Sequence, residues 1–179
     1  MTKDIKEILL TEEQITNRVK EMGKAISEDY KGKDLIIVGI LKGSVIFASE
    51  LIKNISIPCE IDFMAVSSYG NSTETSGVVR ILKDLDHGIE GKDIIIVEDI
   101  IDSGVTLDYL LKYLKARKAN SIEIVTLLTK PSRRMVDLDV KYCGFEVPDE
   151  FLVGYGLDYA ERYRNLPYVG ILKEEVYKK

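Results

Sequence analysis

Histidine is nearly missing from this sequence. The one residue, His87, stands in Asp86-His87-Gly88, a turn-like context that suits a loop. One histidine cannot build a multi-histidine metal site, and its setting gives no basis for a Ser-His-Asp triad. Cysteine is scarce as well. Cys59 and Cys143 lie far apart with no metal-ligand pattern around either, so both read as reduced thiols of a cytoplasmic protein. No apolar run approaches membrane-span length, and the polar opening residues carry no signal-peptide pattern. Positive charge is in deficit. With 25 Lys and Arg against 30 Asp and Glu the net charge is −5, which argues against free nucleic acid as a partner. No G-x-G-x-x-G follows a strand, so the dinucleotide-binding fingerprint is absent. There is no internal repeat, low-complexity tract or interdomain linker.

What is present points to one domain. A chain of 179 residues that is 45% hydrophobic can bury a sizeable core. Its most informative stretch runs from Asp93 to Leu107. Ile94 to Val97 is a β-branched apolar run of the kind that forms a central parallel strand buried on both faces. Three carboxylates follow within five positions: Glu98, Asp99 and Asp102. An unpaired buried ion costs several kcal/mol, so these acids must lie where the strand leaves the core, or face a cation. Asp102-Ser103-Gly104-Val105-Thr106 then opens a helix, marked by Leu107, Leu110, Leu111 and Leu114. Asp102 or Ser103 could serve simply as its N-cap. A helix N-terminus with small polar residues also receives an anion, through free amides and the hydroxyls of Ser103 and Thr106. Carboxylates beside a phosphate need a mediator. Sugar hydroxyls or a divalent cation would provide one.

The rest of the chain supplies the frame. Thr11-Glu12-Glu13-Gln14 has the form of a capping box, and Ile15, Val19, Met22 and Ile26 predict a helix over about 12–30. Strands are expected over Leu35 to Ile40, Cys59 to Ser67, Val78 to Leu82 and Ser121 to Leu128. Leu41-Lys42-Gly43-Ser44 forms a second strand-to-helix junction with a lysine, and the helix continues through Phe47 and Leu51. Right-handed crossovers make the neighbouring strands parallel. Their carboxyl ends then share one sheet edge, where open α/β sheets bind ligands. Lys42, the Glu98–Thr106 segment and Lys130 should therefore meet at one crevice. The Ser- and Gly-rich segment 67–78 reads as a long loop, and long irregular loops in compact domains are often lids.

The string Val-Glu-Asp-Ile-Ile-Asp-Ser-Gly, ending in Val105-Thr106, closely resembles the phosphoribosyl pyrophosphate signature of type I phosphoribosyltransferases. The wording resembles the hypoxanthine-guanine branch, and the resemblance extends from about Leu35 to Leu172. It implies an α/β fold: a mainly parallel twisted sheet flanked by helices, with a core of about residues 10–135. A small hood would come from about 136–179 plus N-terminal residues, and a mobile lid from about 67–78 with Ser68 and Tyr69.

The resemblance also implies roles. Lys42, Gly43 and Ser44 would form the pyrophosphate loop, in a segment where a non-proline cis peptide is common, and Arg164 would add a pyrophosphate contact. Asp102, Ser103, Gly104, Val105 and Thr106 would hold the 5′-phosphate. Glu98 and Asp99 would bind ribose hydroxyls. With Asp158 they would steer Mg2+, although neighbouring strand residues point to opposite faces and should not ligate one ion together. Phe151 would stack on a purine, with Leu152 and Asp158 beside it. Lys130 would donate to the six-position oxygen. Asp102 would accept the proton of purine N7, after which N7 would attack the anomeric carbon. The activity implied is purine salvage: transfer of the phosphoribosyl group to hypoxanthine or guanine, giving IMP or GMP plus pyrophosphate, in a cytoplasmic homodimer or homotetramer. The rivals are an enzyme of the same architecture using xanthine or adenine, and a nucleotide-sensing RNA-binding regulator, which would need a basic surface.

Overall fold

A computed structural model of the chain describes residues 1–68 and 79–178. Tyr69 and the side chain of Ser68, assigned above to the lid, lie outside the described residues.

The main sheet grows outward from two apolar strands. β2 (Leu35–Leu41) and β5 (Asp93–Ile101) pair in parallel, from Leu35 opposite Asp93 to Gly39 opposite Val97. β3 (Glu60–Ser68) lies parallel on the outer side of β2, and β4 (Val79–Lys83) pairs antiparallel to β3. On the far side of β5 come β6 (Ser121–Thr129) and β7 (Tyr142–Glu146), both parallel, so the order is β4-β3-β2-β5-β6-β7. From β2 the chain moves one way through helix α2 (Val45–Lys53) to β3. From β5 it moves the other way through helix α3 (Val105–Lys115) to β6. The order reverses between β2 and β5, and a crevice is expected outside the carboxyl ends of strands at such a reversal.

Alternation along these strands feeds two cores. Leu35, Ile37, Ile95, Val97, Val125 and Leu127 face the side covered by α1 (Glu12–Asp29) and α2, against Ile15, Val19, Ile26, Phe47 and Leu51. Ile36, Val38, Ile94, Ile96 and Ile124 face Leu107, Leu110 and Leu114 of α3. Both faces being covered is why these strands read as continuous apolar runs rather than alternating ones. α1 starts as its sequence foretells. The Thr11 N–H donates to Gln14 Oε1 at 2.9 Å, and the Gln14 N–H donates to Thr11 Oγ1 at 3.2 Å.

A second, three-stranded antiparallel sheet has the order β1-β9-β8: β1 (Ile5–Leu10), β9 (Val169–Leu172) and β8 (Leu152–Val153). Val153, Tyr163, Leu166 and Leu172 form its own core. The chain ends in a short helix, α4 (Glu174–Tyr177). Two details depart from the sequence reading. β1 was not anticipated, because its residues are mostly exposed and lack alternation. β7, expected in the hood, belongs to the main sheet, with Tyr142 opposite Val125. In sequence, Gly144 reads as a break between short strands. In place it admits the Leu127 carbonyl, which would lie only 2.4 Å from any Cβ there. Arg18 covers this strand, its Nη2 donating to the Cys143 carbonyl at 2.7 Å and its Nε to that of Gly144 at 3.1 Å.

Ile96 is fully buried between β2 and β6. Ile96→Ala should lower unfolding stability by about 2–5 kcal/mol, through lost burial and the cavity left behind. Urea unfolding measures it through the shift in midpoint.

Candidate functional site

β5 outlasts its pairing with β2. Beyond Val97, β2 turns away toward β3, with Leu41 opposite Ala65, while β5 continues against β6 from Glu98 opposite Thr126 to Ile101 opposite Thr129. The acids therefore lie inside the strand, at the point where one of its neighbours departs. That is how an apolar central strand can carry two carboxylates.

Strand alternation sends them to different places. Glu98 lines a cavity of about 140 Å³ with Ile101, Asp102, Ser103, Gly104 and Thr106. Asp99 lines a larger crevice of about 490 Å³ with Lys130, Phe151, Leu152 and Asp158. Ile100 and Asp102 border both, which joins the two spaces. Burial raises the Glu98 carboxyl well above the usual carboxylate range, and neighbouring Asp99 adds to the rise. Burial also pushes Asp99 up to about 6, although the Ile100 N–H, donating to its Oδ1 at 2.7 Å, pulls the other way.

The small cavity is bounded by the turn between β5 and α3. Neither Asp102 nor Ser103 caps the helix. Gly104 occupies that position, with φ +81°, and no side chain bonds the first turn in the usual capping geometry. A Cβ on Gly104 would also meet Leu138 at 2.7 Å. The carbonyl of Ser103 accepts from the Met135 N–H at 2.9 Å, so the segment after β6 braces the turn from behind. The Val105 N–H lies 3.4 Å from Ser103 Oγ, a long bond that leaves this helix start open to an anion.

Lys130 sits at the end of β6 and is only 8% exposed. Its Nζ donates to the Glu150 carbonyl at 2.8 Å and lies 3.6 Å from Asp149 and 3.9 Å from Asp102. Arg133 stands at the same corner, 3.8 Å from Asp102 and 3.4 Å from Asp149. The expected meeting of Lys130 with the Glu98–Thr106 segment is thus observed.

The other flank is assembled by close backbone approach. Gly43 lies against Asp99, whose Oδ2 would be 1.8 Å from any Cβ there. Gly156, at φ +101°, in turn lies against the Gly43 carbonyl. The peptide joining Leu41 to Lys42 is cis. Lys42 Nζ pairs with Glu161 at 2.9 Å, which holds the Glu161 carboxyl below its usual range, and neither residue lines the two spaces. Ser44 departs from expectation. Its side chain is fully buried, and its hydroxyl and N–H both donate to the Ile40 carbonyl, at 2.7 and 3.3 Å. Ser44 therefore closes the strand-to-helix turn and offers no free donor to the crevice.

Arg164 lies behind Asp158 and does not line the larger crevice. Its Nη1 donates to the Gly156 carbonyl at 2.7 Å, and its Nη2 is 3.1 Å from Asp158. Asp158 also accepts from the Glu161 N–H at 2.9 Å. Among the described residues no group of three or more acidic, histidine or cysteine side chains forms a cation cage, so Glu98, Asp99 and Asp158 do not converge on one point. Arg133, Asp149, Glu150 and Tyr177 were not foreseen as site residues. No local motif distinguishes them: Arg133 arrives on the short turn that follows Lys130, and the other three on the return of residues 149–158 and α4 over the sheet edge.

Residues 6–160 match the family model described as phosphoribosyl transferase domain. A hypoxanthine-guanine phosphoribosyltransferase of Staphylococcus epidermidis is 58% identical over 179 residues, all of both chains. A crystal structure of a hypoxanthine phosphoribosyltransferase from Staphylococcus aureus superposes with a TM-score of 0.97 at 57% identity, covering 100% of this chain and 97% of that one. A hypoxanthine-guanine phosphoribosyltransferase from Bacillus anthracis gives 0.91 at 49% identity, covering 94% and 99%. The chain belongs to the phosphoribosyltransferase family, in its hypoxanthine-guanine branch.

Proposed function

We infer that the joined cavities at the carboxyl edge of β2 and β5 are where this chain carries out the reaction of its branch. The chain is a purine-salvage glycosyltransferase, moving the 5-phosphoribosyl group from phosphoribosyl pyrophosphate to hypoxanthine or guanine. The 5′-phosphate would occupy the small cavity, on the free amides of the α3 start with the hydroxyls of Ser103 and Thr106. The ribose would lie between the two spaces, its hydroxyls donating to Glu98 and Asp99. Phe151 and Leu152 would receive the base in the larger crevice.

One observation carries this reading: Lys130 Nζ and the Asp102 carboxylate stand 3.9 Å apart, facing the same crevice. On a 6-oxopurine, O6 and N7 lie side by side on one edge. An ammonium only donates, so it addresses O6. The carboxylate accepts, so it takes the proton from N7. The expectation that N7 itself attacks the sugar fails on the chemistry of the product. IMP and GMP carry ribose on N9, so N9 forms the bond to the anomeric carbon as the bond to pyrophosphate breaks. Loss of the N7 proton keeps the five-membered ring neutral after N9 is substituted.

Mg2+ suits the oxygen donors here. It takes one or two carboxylates, keeps several waters and needs no full protein cage. Asp99 and Asp158, both on the larger crevice, would hold it with substrate oxygens, and it would supply positive charge against the pyrophosphate. Gly43 matters sterically, because only a residue without Cβ lets the loop lie against Asp99. Lys42 would exchange Glu161 for pyrophosphate. Arg164 would act chiefly by holding Asp158. The segment 67–78 would exclude water as a lid. A cytoplasmic location and a homodimer or homotetramer complete the proposal. Among the described residues no helix is long and apolar enough to cross a membrane.

Asp102→Asn should retain nucleotide but lose about 10²–10⁴-fold in turnover. Nucleotide titration and steady-state rates compared with the parent test this, and equal rates would remove Asp102 as the proton acceptor.

Adenine presents a donor where Lys130 needs an acceptor. Assays with hypoxanthine, guanine, xanthine and adenine, with and without Mg2+, should show adenine at least about 100-fold slower than hypoxanthine. Comparable adenine turnover would refute the role of Lys130.

The raised carboxyl of Asp99 has a thermal consequence. Folding penalises the ionised acid, so the cost is absent below about pH 4, where it is protonated folded or unfolded. The cost is fully present above about pH 6. In metal-free protein, Asp99→Asn should melt a few degrees higher than the parent near pH 8, with the gap closing toward pH 4. Calorimetry at both pH values reads the difference.

A further inference from the structure

The carboxy-terminal helix reaches the crevice. Tyr177, its last residue, lines the same space as Asp102 and Lys130. Its ring lies on that of Phe151, with centroids 4.7 Å apart and planes within 27°. Tyr159 meets Phe151 edge-on, at 5.5 Å and 88°. A third ring cannot enter between two rings at 4.7 Å. A base stacked on Phe151 must therefore use the face that Tyr177 leaves free, and Tyr177 backs the other.

The tail is tied into place at several points. The Leu172 N–H donates to the Phe151 carbonyl at 2.8 Å, and the Lys173 N–H to the Asp4 carbonyl at 2.9 Å. Val176 and Tyr177 pack on the cluster of Val153, Tyr163, Leu166 and Leu172. The chain that carries Phe151 and the chain that carries Tyr177 thus move as one. Left alone, a half-exposed phenylalanine would rotate about χ1 and χ2 and lose entropy each time a base fixed it. A ring already held by two aromatic neighbours avoids that loss, the usual way in which preorganisation gains affinity.

We propose that Tyr177 is a positioning residue for the purine base, which fixes the plane of the Phe151 ring and makes the carboxy-terminal helix part of the base site. This rests on the reading of Phe151 as the residue that stacks on the base. Tyr177 does not line the smaller cavity at the α3 start, so its effect should be confined to the purine.

Steady-state kinetics of Tyr177→Ala, Tyr177→Phe and Phe151→Ala, with hypoxanthine and phosphoribosyl pyrophosphate varied separately, test the proposal. Tyr177→Ala should raise KM for hypoxanthine about 3–10-fold, the worth of one aromatic stack. KM for phosphoribosyl pyrophosphate and kcat should stay within about two-fold, and Tyr177→Phe should behave as the parent. An unchanged KM for hypoxanthine overturns the proposal. So does a lowered one, which would mean the tyrosine had been occupying the base position, and so does an equal rise in both KM values, which would mean general loosening. Phe151→Ala separates the two levels of the argument. If it leaves the hypoxanthine KM untouched, the placement of the base fails and takes this proposal with it. If it raises that KM while Tyr177→Ala does not, only the role of Tyr177 falls.

Discussion

β2 and β5 run side by side as far as Gly39 and Val97, and then separate while β5 keeps its other partner, β6. A strand that loses a neighbour on one side gains room beside it, and the room here is at the carboxyl edge. Four further residues of β5, Glu98 to Ile101, border that opening. Alternation sends Glu98 and Asp99 to two adjoining spaces, one at the start of α3 and one under the returning chain of residues 149–158, with Ile100 bordering both.

The electrostatics follow from that placement. Partly enclosed carboxylates resist ionisation, as the upward displacement of both Glu98 and Asp99 records. The surroundings answer with cations at the rim: Lys130 and Arg133 beside Asp102, Lys42 beside Glu161, Arg164 beside Asp158. These pairs hold the walls of the crevice in position before anything enters it. On the proposed reading, a substrate bearing phosphate and pyrophosphate would exchange partners with residues already oriented, and a divalent cation would bring positive charge to the acids.

Much of this was readable from local pattern. The apolar runs of β2, β5 and β6, the capping box of α1 and the turn after β5 are properties of neighbouring residues, and each appeared where expected to within a residue or two, except that β5 runs on past Val97 to Ile101. The convergence of Lys130 with the Asp102 turn followed from parallel pairing alone. The errors arose where a residue's meaning depends on distant chain. Ser44 was expected against pyrophosphate because of the family resemblance, yet its hydroxyl is consumed by its own turn. Gly144 looked like a break, yet it permits β7 to approach β6. β1 has too little apolar alternation to announce itself, and it exists because β9 is there to pair with it.

The division has a physical basis. Period, charge and turn chemistry are carried by residues within a few positions of each other, so the linear chain alone settled the central strand, the helix start that follows it and the crowding of acids between them. Which side of the crevice each acid serves, whether Arg164 reaches substrate or supports Asp158, and that Tyr177 comes to rest on Phe151 all depend on contacts between segments remote in the chain. Those contacts are selected by burial and register in the folded molecule, and no local pattern encodes them.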